Sequence, residues 1–307
     1  MRVRVLLEPR HGVTYAGLLA LARACEDAGF EGFFRGDHLY GVDPQDRMYH
    51  PTDSWTTLAG LARDTRRIRL GTLLTAGTFR APGLLAVIAA TAADMSGGRV
   101  ELGLGAGWYA AEHAAYGIAF PDVKERFDRL EESLEIITGL WATPHGERYA
   151  HTGPLFTLDG GANPLACGPA PPLIIGGAGP RRTPELAARY ADEFNAAFPP
   201  DAAPARYDRF RRACERIGRD PATARMSTMV PVCCGADRAE AERRAEIIGS
   251  PALRAAALVG PPAEVTDRLA AHGAAGADTV YLHIYDPGDL DHIALLGEAV
   301  LPHLDRS

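Results

Sequence analysis

The sequence predicts a single (β/α)₈ barrel of the TIM type, and three observations predict it. Short apolar, β-branched runs alternate with longer segments whose apolar residues recur three and four apart, the pattern of βα units and a parallel sheet. There are eight such runs, each followed by a helical segment, which favours closure as a barrel over an open sheet. The length of 307 residues suits one barrel carrying an insertion.

Taken in order, the strands fall near Val3–Leu7, Gly32–Gly36, Ile68–Leu73, Val100–Leu104, Leu173–Ile175, Glu193–Ala197, Met226–Cys233 and Thr279–Ile284. Helix Thr14–Ala28 follows the first strand and Asp53–Asp64 the second. Pro82–Met95 follows the third, with Pro82 suited to a first helical turn. In Lys124–Trp141, Phe127, Leu130, Leu134, Ile137 and Trp141 mark one apolar stripe. Pro180–Tyr190, Ala202–Ile217, Ala236–Ile247, Ala263–His272 and the terminal Leu290–Leu304 complete the helices. The Gly- and Pro-rich stretch 142–172 breaks the rhythm and carries a small hairpin around Tyr149–Leu158. It reads as an insertion within one domain, 1–307, rather than a second domain.

Composition narrows the function classes. Hydrophobic residues at 47% and charged residues at 23% are globular values. The net charge of −7 opposes nucleic-acid binding, which needs a basic face, and the Arg66-Arg67, Arg181-Arg182 and Arg243-Arg244 pairs are scattered. No apolar run reaches the roughly 18 residues of a membrane span. The first residues read as a strand and lack the long apolar segment and cleavage site of a signal peptide, so the expected location is the cytoplasm. The five cysteines, Cys25, Cys167, Cys214, Cys233 and Cys234, are irregularly spaced and include no Cys-x-x-Cys. They predict neither a disulfide framework nor a metal site.

A barrel places its chemistry at the C-terminal ends of its strands. The candidates are therefore Glu8, Asp37-His38-Leu39-Tyr40, Thr72–Thr75, Gly105-Ala106-Gly107-Trp108, Gly176-Gly177-Ala178-Gly179, Phe198 and His283-Ile284-Tyr285-Asp286. At Gly176–Gly179 a strand runs into glycines, then a helix start with Arg181, Arg182 and Thr183. Backbone N–H groups and the helix N-terminus there suit a phosphate, and the two arginines could clamp it; a tight turn with solvated arginines is the plainer alternative. Gly103-x-Gly105-x-Gly107 lacks the third glycine of a dinucleotide fingerprint, and at a strand end it lets a flat ring approach the backbone. His38 can donate a proton near neutral pH; alternatively it is a structural histidine satisfied by a neighbour.

Other barrel chemistries are excluded. A Schiff-base aldolase needs a strand-end lysine, and the one lysine, Lys124, begins a helix. The ten histidines include no His-x-His pair, and no Gly-x-Ser-x-Gly elbow occurs. A phosphate cradle, a ring platform, one well-placed histidine and no covalent nucleophile suit a cofactor that brings its own chemistry.

The run Ser96-Gly97-Gly98-Arg99-Val100-Glu101-Leu102-Gly103-Leu104-Gly105-Ala106-Gly107-Trp108 resembles the bacterial luciferase-like monooxygenase superfamily. So do Glu112-His113 with Tyr116-Gly117, Lys124 through Glu132, Leu70-Gly71-Thr72 with Thr78 through Pro82, and Pro172 through Gly179. The resemblance covers residues 1 to 305 and is strongest to the F420-dependent oxidoreductase branch. It implies coenzyme F420 as cofactor, with FMN the alternative. It places Asp37 and His38 beside the ring, a non-prolyl cis peptide at Leu73–Leu74 with Thr72 against its far face, and Gly105, Ala106 and Gly107 along it. Gly176, Gly177, Ala178 and Gly179 with Arg181 or Arg182 would hold the phosphate-bearing tail. Glu8, Tyr40, Trp108, Glu112 and His283 would line the substrate pocket.

The sugar-phosphate dehydrogenases of the branch carry Glu where this chain has Trp108 and a Trp near Val42, which is absent here. The resemblance therefore implies hydride transfer to a flat or hydrophobic acceptor, in the reductive direction, with His38 as proton donor or orienting group and a homodimer as the working form. An FMN-dependent monooxygenase and a non-catalytic flavin-binding barrel are the alternatives.

Overall fold

In a computed structural model of the chain, the described residues are 1–8, 13–39, 51–166, 168–196 and 198–304. Eight parallel strands close on themselves: β1 (Arg2–Leu7), β2 (Gly32–Arg35), β3 (Arg69–Thr72), β4 (Val100–Gly105), β5 (Leu173–Gly177), β6 (Glu193–Ala196), β7 (Arg225–Cys234) and β8 (Thr279–Ile284). Each pairs with the next, and β8 returns to β1 with Arg4 beside Tyr281 and Leu6 beside His283. The outer helices are α1 (Tyr15–Asp27), α2 (Ser54–Asp64), α3 (Pro82–Ser96), α4 (Val123–Ala142), α5 (Arg182–Tyr190), α6 (Ala203–Arg216), α7 (Pro262–Ala274) and α8 (Leu290–Ala299), with a shorter helix, Arg238–Ala245, after β7 where Ala236–Ile247 was expected. The predicted barrel is thus the observed one.

Local chemistry sets the helix ends. Side chains of Thr14, Asp53, Asp122 and Asp289 accept backbone N–H bonds at the starts of α1, α2, α4 and α8. Gly97, with φ 67°, ends α3 in a left-handed turn. Four short pieces escaped the sequence reading: strands Thr75–Ala76 and Leu258–Gly260, and helices Ala110–Ala115 and Pro251–Ala256. The expected terminal helix stops at Ala299 and continues as a 3₁₀ turn, Leu301–His303. Pro180 does not open α5, which begins at Arg182.

Within 142–172, strands Tyr149–Thr152 and Thr157–Gly161 form an antiparallel hairpin apart from the barrel sheet. Glu132 of α4 fastens it, accepting the N–H groups of Leu155 (3.2 Å) and Phe156 (2.8 Å) and meeting His151 Nε2 at 3.1 Å.

Alternate strand residues fill the barrel in layers. At the N-terminal end, fully buried Arg4 donates to both oxygens of Glu101 (2.8 and 3.0 Å) and to the Tyr281 hydroxyl (2.8 Å), which donates to Glu193 at 2.7 Å. Above lie Leu6, Phe34, Leu73 and Ile174. This plug leaves only the C-terminal end open for a site.

Cys25, Cys214, Cys233 and Cys234 are buried free thiols, and Cys167 lies outside the described residues. Burial pushes Cys233 up to about 12 and Cys234 up to about 11, which suits packing rather than chemistry. Among the described residues no group of side chains is set to hold a metal, and no helix is long and apolar enough to cross a membrane.

Candidate active site

All eight strands send residues into one cavity of about 740 Å³ at their C-terminal ends. Of the residues expected there, Glu8, Asp37, His38, Leu73, Leu74, Gly105, Ala106, Gly107, Trp108, Glu112, Gly176, Gly177, Ala178, Gly179 and His283 line it. Phe198, singled out at the end of the sixth strand, lines it as well. Thr72 sits beneath the wall, its hydroxyl donating to the Gly103 carbonyl at 3.0 Å and accepting from Thr75 at 3.0 Å. Tyr40 lies outside the described residues.

The phosphate clamp expected from Arg181 and Arg182 is not where the sequence pattern put it. Arg181 is largely exposed and faces Glu185 at 3.4 Å. Arg182 reaches back to α4, to Asp128 at 2.6 Å and Glu131 at 3.0 Å. Neither lines the cavity. Arg126 of α4 does. It is buried, its Nη1 donates to the Pro121 carbonyl at 2.6 Å, and its guanidinium lies 4.1 Å over the Phe120 ring. Its Nε is buried with no hydrogen-bond partner among the described residues. An orphaned charged donor in a cavity wall is suited to an anion that the protein itself does not supply. The signal was present in the sequence: Arg126 stands four residues before Leu130 and eight before Leu134, on the buried stripe of α4.

His38 follows β2, where the chain passes Gly36. A Cβ at Gly36 would come 2.1 Å from the Glu8 carboxylate, so the glycine lets Glu8 close on this strand end. Glu112, on helix Ala110–Ala115, holds His38 Nδ1 at 3.1 and 3.0 Å and accepts the Leu39 N–H at 3.1 Å. Burial alone would favour the neutral imidazole. The charges of Glu8, Glu112 and Asp37 and the Glu112 hydrogen bond outweigh it and raise His38 from 6.5 to about 9. Asp37 is itself fixed by Arg80, at 2.5 and 3.2 Å, and by the Ser54 hydroxyl.

The walls are shaped by missing side chains. The Leu73–Leu74 peptide is cis. Leu74 faces two glycines: a Cβ on Gly105 or Gly176 would come 3.1 Å from its side chain. The result is a slot bounded by backbone on one side and a leucine on the other, a shape that a flat ring fits. Next to it, Gly177 (φ 146°), Ala178 and Gly179 lead into α5, where Thr183 lines the cavity and Phe127 packs on Gly179. The slot, the N-terminal turn of α5 and Arg126 thus line one continuous cavity. At the mouth, Trp108 is 60% exposed, stacks on Tyr109 at 5.2 Å and meets His38 edge-on at 5.5 Å.

The F420-dependent hydroxymycolic acid dehydrogenase of Mycobacterium tuberculosis (strain ATCC 25618 / H37Rv) is 35% identical over 227 residues, 73% of this chain and 61% of the relative. The chain thus spans less than two thirds of that relative's length. An F420-dependent secondary alcohol dehydrogenase, solved with an F420-acetone adduct, superposes with a TM-score of 0.83 at 20% identity and covers 99% of both chains. The monooxygenase RslO1 from Streptomyces bottropensis does so with a TM-score of 0.82 at 24% identity, also covering 99% of both. A family model for luciferase-like monooxygenases matches residues 1–251, and the chain belongs to that family.

Proposed function

We propose that this protein is a coenzyme F420-dependent oxidoreductase acting as a reductase, with His38 as the proton donor. The observation that carries this reading is the state of His38. At a value of about 9 it is an imidazolium at neutral pH, held against the ring slot by Glu112. A cationic acid suits reduction, in which a substrate atom must gain a proton, better than oxidation, in which the same group would have to arrive neutral. Relatives named as F420-dependent dehydrogenases support the choice of cofactor.

The residues that would hold the coenzyme are Leu74, Gly105 and Gly176 around its ring, and Gly177, Ala178, Gly179, Thr183 and Arg126 around its phosphate. Once bound, it supplies a hydride. The protein's own part is to orient the acceptor and complete the proton balance. As a carbonyl carbon gains the hydride, its π bond opens and the oxygen takes a proton from His38. With Nδ1 committed to Glu112, the proton comes from Nε2. Asp37, fixed by Arg80, holds the strand end that carries the imidazole.

The working form is a cytoplasmic homodimer, supported by the exposed apolar residues Leu84 and Val87 on α3. The deciding experiment is a pair of fluorescence titrations of the purified protein, with F420 and with FMN. Micromolar F420 binding with weak or no FMN binding is the expected result. A preference for FMN would overturn the assignment and move the protein to oxygen-using chemistry.

A further inference from the structure

We infer that Thr78 and His113 are positioning residues for His38: together they fix helix Ala110–Ala115, and through it the Glu112 carboxylate that holds the proton donor. This rests on the functional reading above and deepens it. Two of the motifs that marked the family, Glu112-His113 and Thr78 through Pro82, meet at this point. Neither Thr78 nor His113 lines the cavity, so any part they play is through a neighbour.

Helix Ala110–Ala115 has little of its own to hold it. Its six residues fall well below the length at which a helix is stable in water, and no side chain caps its start among the described residues. Its four alanines face solvent, and only Glu112 and His113 are buried. Consecutive helical side chains stand roughly 100° apart, so these two point different ways. Glu112 reaches His38 Nδ1 at 3.0 Å and the Leu39 N–H at 3.1 Å. These bonds run to the very strand end that Glu112 positions, so the fixed point has to be the other buried side chain.

Both nitrogens of His113 are committed. Nδ1 lies 2.7 Å from the Tyr109 carbonyl, which can only accept, so Nδ1 donates. Nε2 lies 2.7 Å from Thr78 Oγ1. A hydroxyl can donate or accept, so that bond survives either protonation state of the ring. The ring also packs between Phe79 and Phe120, with centroids 4.9 and 4.7 Å away. Gly107, with φ 76°, makes room for Thr78: a Cβ there would come 2.9 Å from Thr78 Oγ1.

The segment that carries Thr78 reaches His38 from a second side as well. Arg80, two residues on, fixes Asp37 at 2.5 and 3.2 Å. The charges facing the imidazole are Glu8 from the end of β1, Glu112, and Asp37 beside it in the chain. Buried Arg35 faces both Glu8 and Asp37. Of these groups, Glu112 alone rides on helix Ala110–Ala115. Loosening the Thr78–His113 bond therefore weakens the hold on Nδ1 and leaves the other charges where they are.

The test reads His38 directly, with no cofactor present. Protein with isotope-labelled histidines is titrated with base and followed by NMR, and the His38 signal is assigned by its loss in His38→Ala. Thr78→Val keeps the shape of the side chain and removes the hydroxyl. It should lower the His38 midpoint by about half to one pH unit, as expected on weakening a hydrogen bond to a charged group. His113→Phe, which keeps the packing between Phe79 and Phe120, should lower it at least as far. Thr78→Ser, which keeps the hydroxyl, should retain the native midpoint. In the Glu112→Gln background Thr78→Val should add nothing, because the carboxylate through which it acts is gone. In turnover with reduced F420, the alkaline limb of kcat should fall with the midpoint in Thr78→Val, with KM little changed.

A midpoint unmoved by Thr78→Val or by a folded His113→Phe overturns the inference. So does an equal fall in Thr78→Ser, or an equal fall when residue 112 is already Gln. Failure of F420 to bind, or a kcat limb that ignores the NMR midpoint, overturns the functional reading instead, since the histidine titration needs no cofactor.

Discussion

Burial strips water from the His38 imidazole and favours its neutral form, yet three surrounding carboxylates hold the proton on. The folded-state value of about 9 lies above the ordinary 6.5. The protonated ring therefore contributes stability fully below about pH 6.5, and that contribution is lost as pH rises through about 9. Reductive turnover should follow the same protonation and fall above pH about 9. Glu112→Gln removes a charge and the carboxylate bond to Nδ1, so the falling limb should move down toward the ordinary histidine range. A pH profile of kcat for both proteins checks this, and a limb that stays in place would assign it to another group. Replacing His38 with Ala should lower kcat by roughly 10²–10⁴ while F420 still binds. An unchanged turnover number in that variant would remove His38 from the proton transfer.

At the scale of the element, two glycines of β4 separate fold from site. A Cβ at Gly103 would meet the Thr72 carbonyl at 2.0 Å, a backbone collision with no soft partner to yield. Gly103→Ala should cost about 1–3 kcal/mol or more of stability, read by denaturant melts. A Cβ at Gly105 meets the flexible Leu74 side chain at 3.1 Å and the Gly176 carbonyl oxygen at an ordinary 3.6 Å, within the slot. Gly105→Ala should fold with near-normal stability and bind cofactor poorly; a variant that melts early but binds normally would reverse these roles. A second contrast lies between neighbouring helices. Arg126→Met should weaken cofactor binding by about tenfold or more, as expected on losing a charged hydrogen-bond donor to phosphate. Arg181→Ala, a substitution in solvent, should leave the same titration unmoved.

These contrasts show what could be read from the chain. The eight strands were legible because each is a buried run of four to ten residues with turn chemistry after it. The short helices Ala110–Ala115 and Pro251–Ala256 were not, since fewer than two turns carry no periodicity. The position of Glu8, His38 and the glycines on the cavity wall was legible from strand-end placement alone. Arg181 and Arg182 were expected at the cavity because they follow the glycine loop directly, and neither lines it. The helix turns those two toward Glu185, Asp128 and Glu131, and the cation that faces the cavity comes from α4, some fifty residues earlier in the chain.

For the whole molecule, the barrel interior is plugged at one end by Arg4 and its carboxylate partners, and the cavity lies at the other. The helical shell is not uniformly polar. On α3, Leu84 and Val87 are exposed and Ile88 is half-buried, while Leu85, Ala86, Ala89 and Ala90 face the barrel. A helix that is apolar on both faces is normally covered on both. The barrel covers one, and a second copy of the chain related by a two-fold axis would cover the other, since an isologous contact sets the same patch against itself. Light scattering after size exclusion should give about twice the chain mass of 32.8 kDa for the native protein. The double variant Leu84→Glu, Val87→Glu places two buried like charges in that contact and should give 32.8 kDa with an unchanged far-ultraviolet circular dichroism spectrum. A native mass of one chain would leave the exposed stripe of α3 without a partner and remove the dimer from the reading. A double variant that still weighs two chains would keep the dimer but move its interface to another face of the barrel.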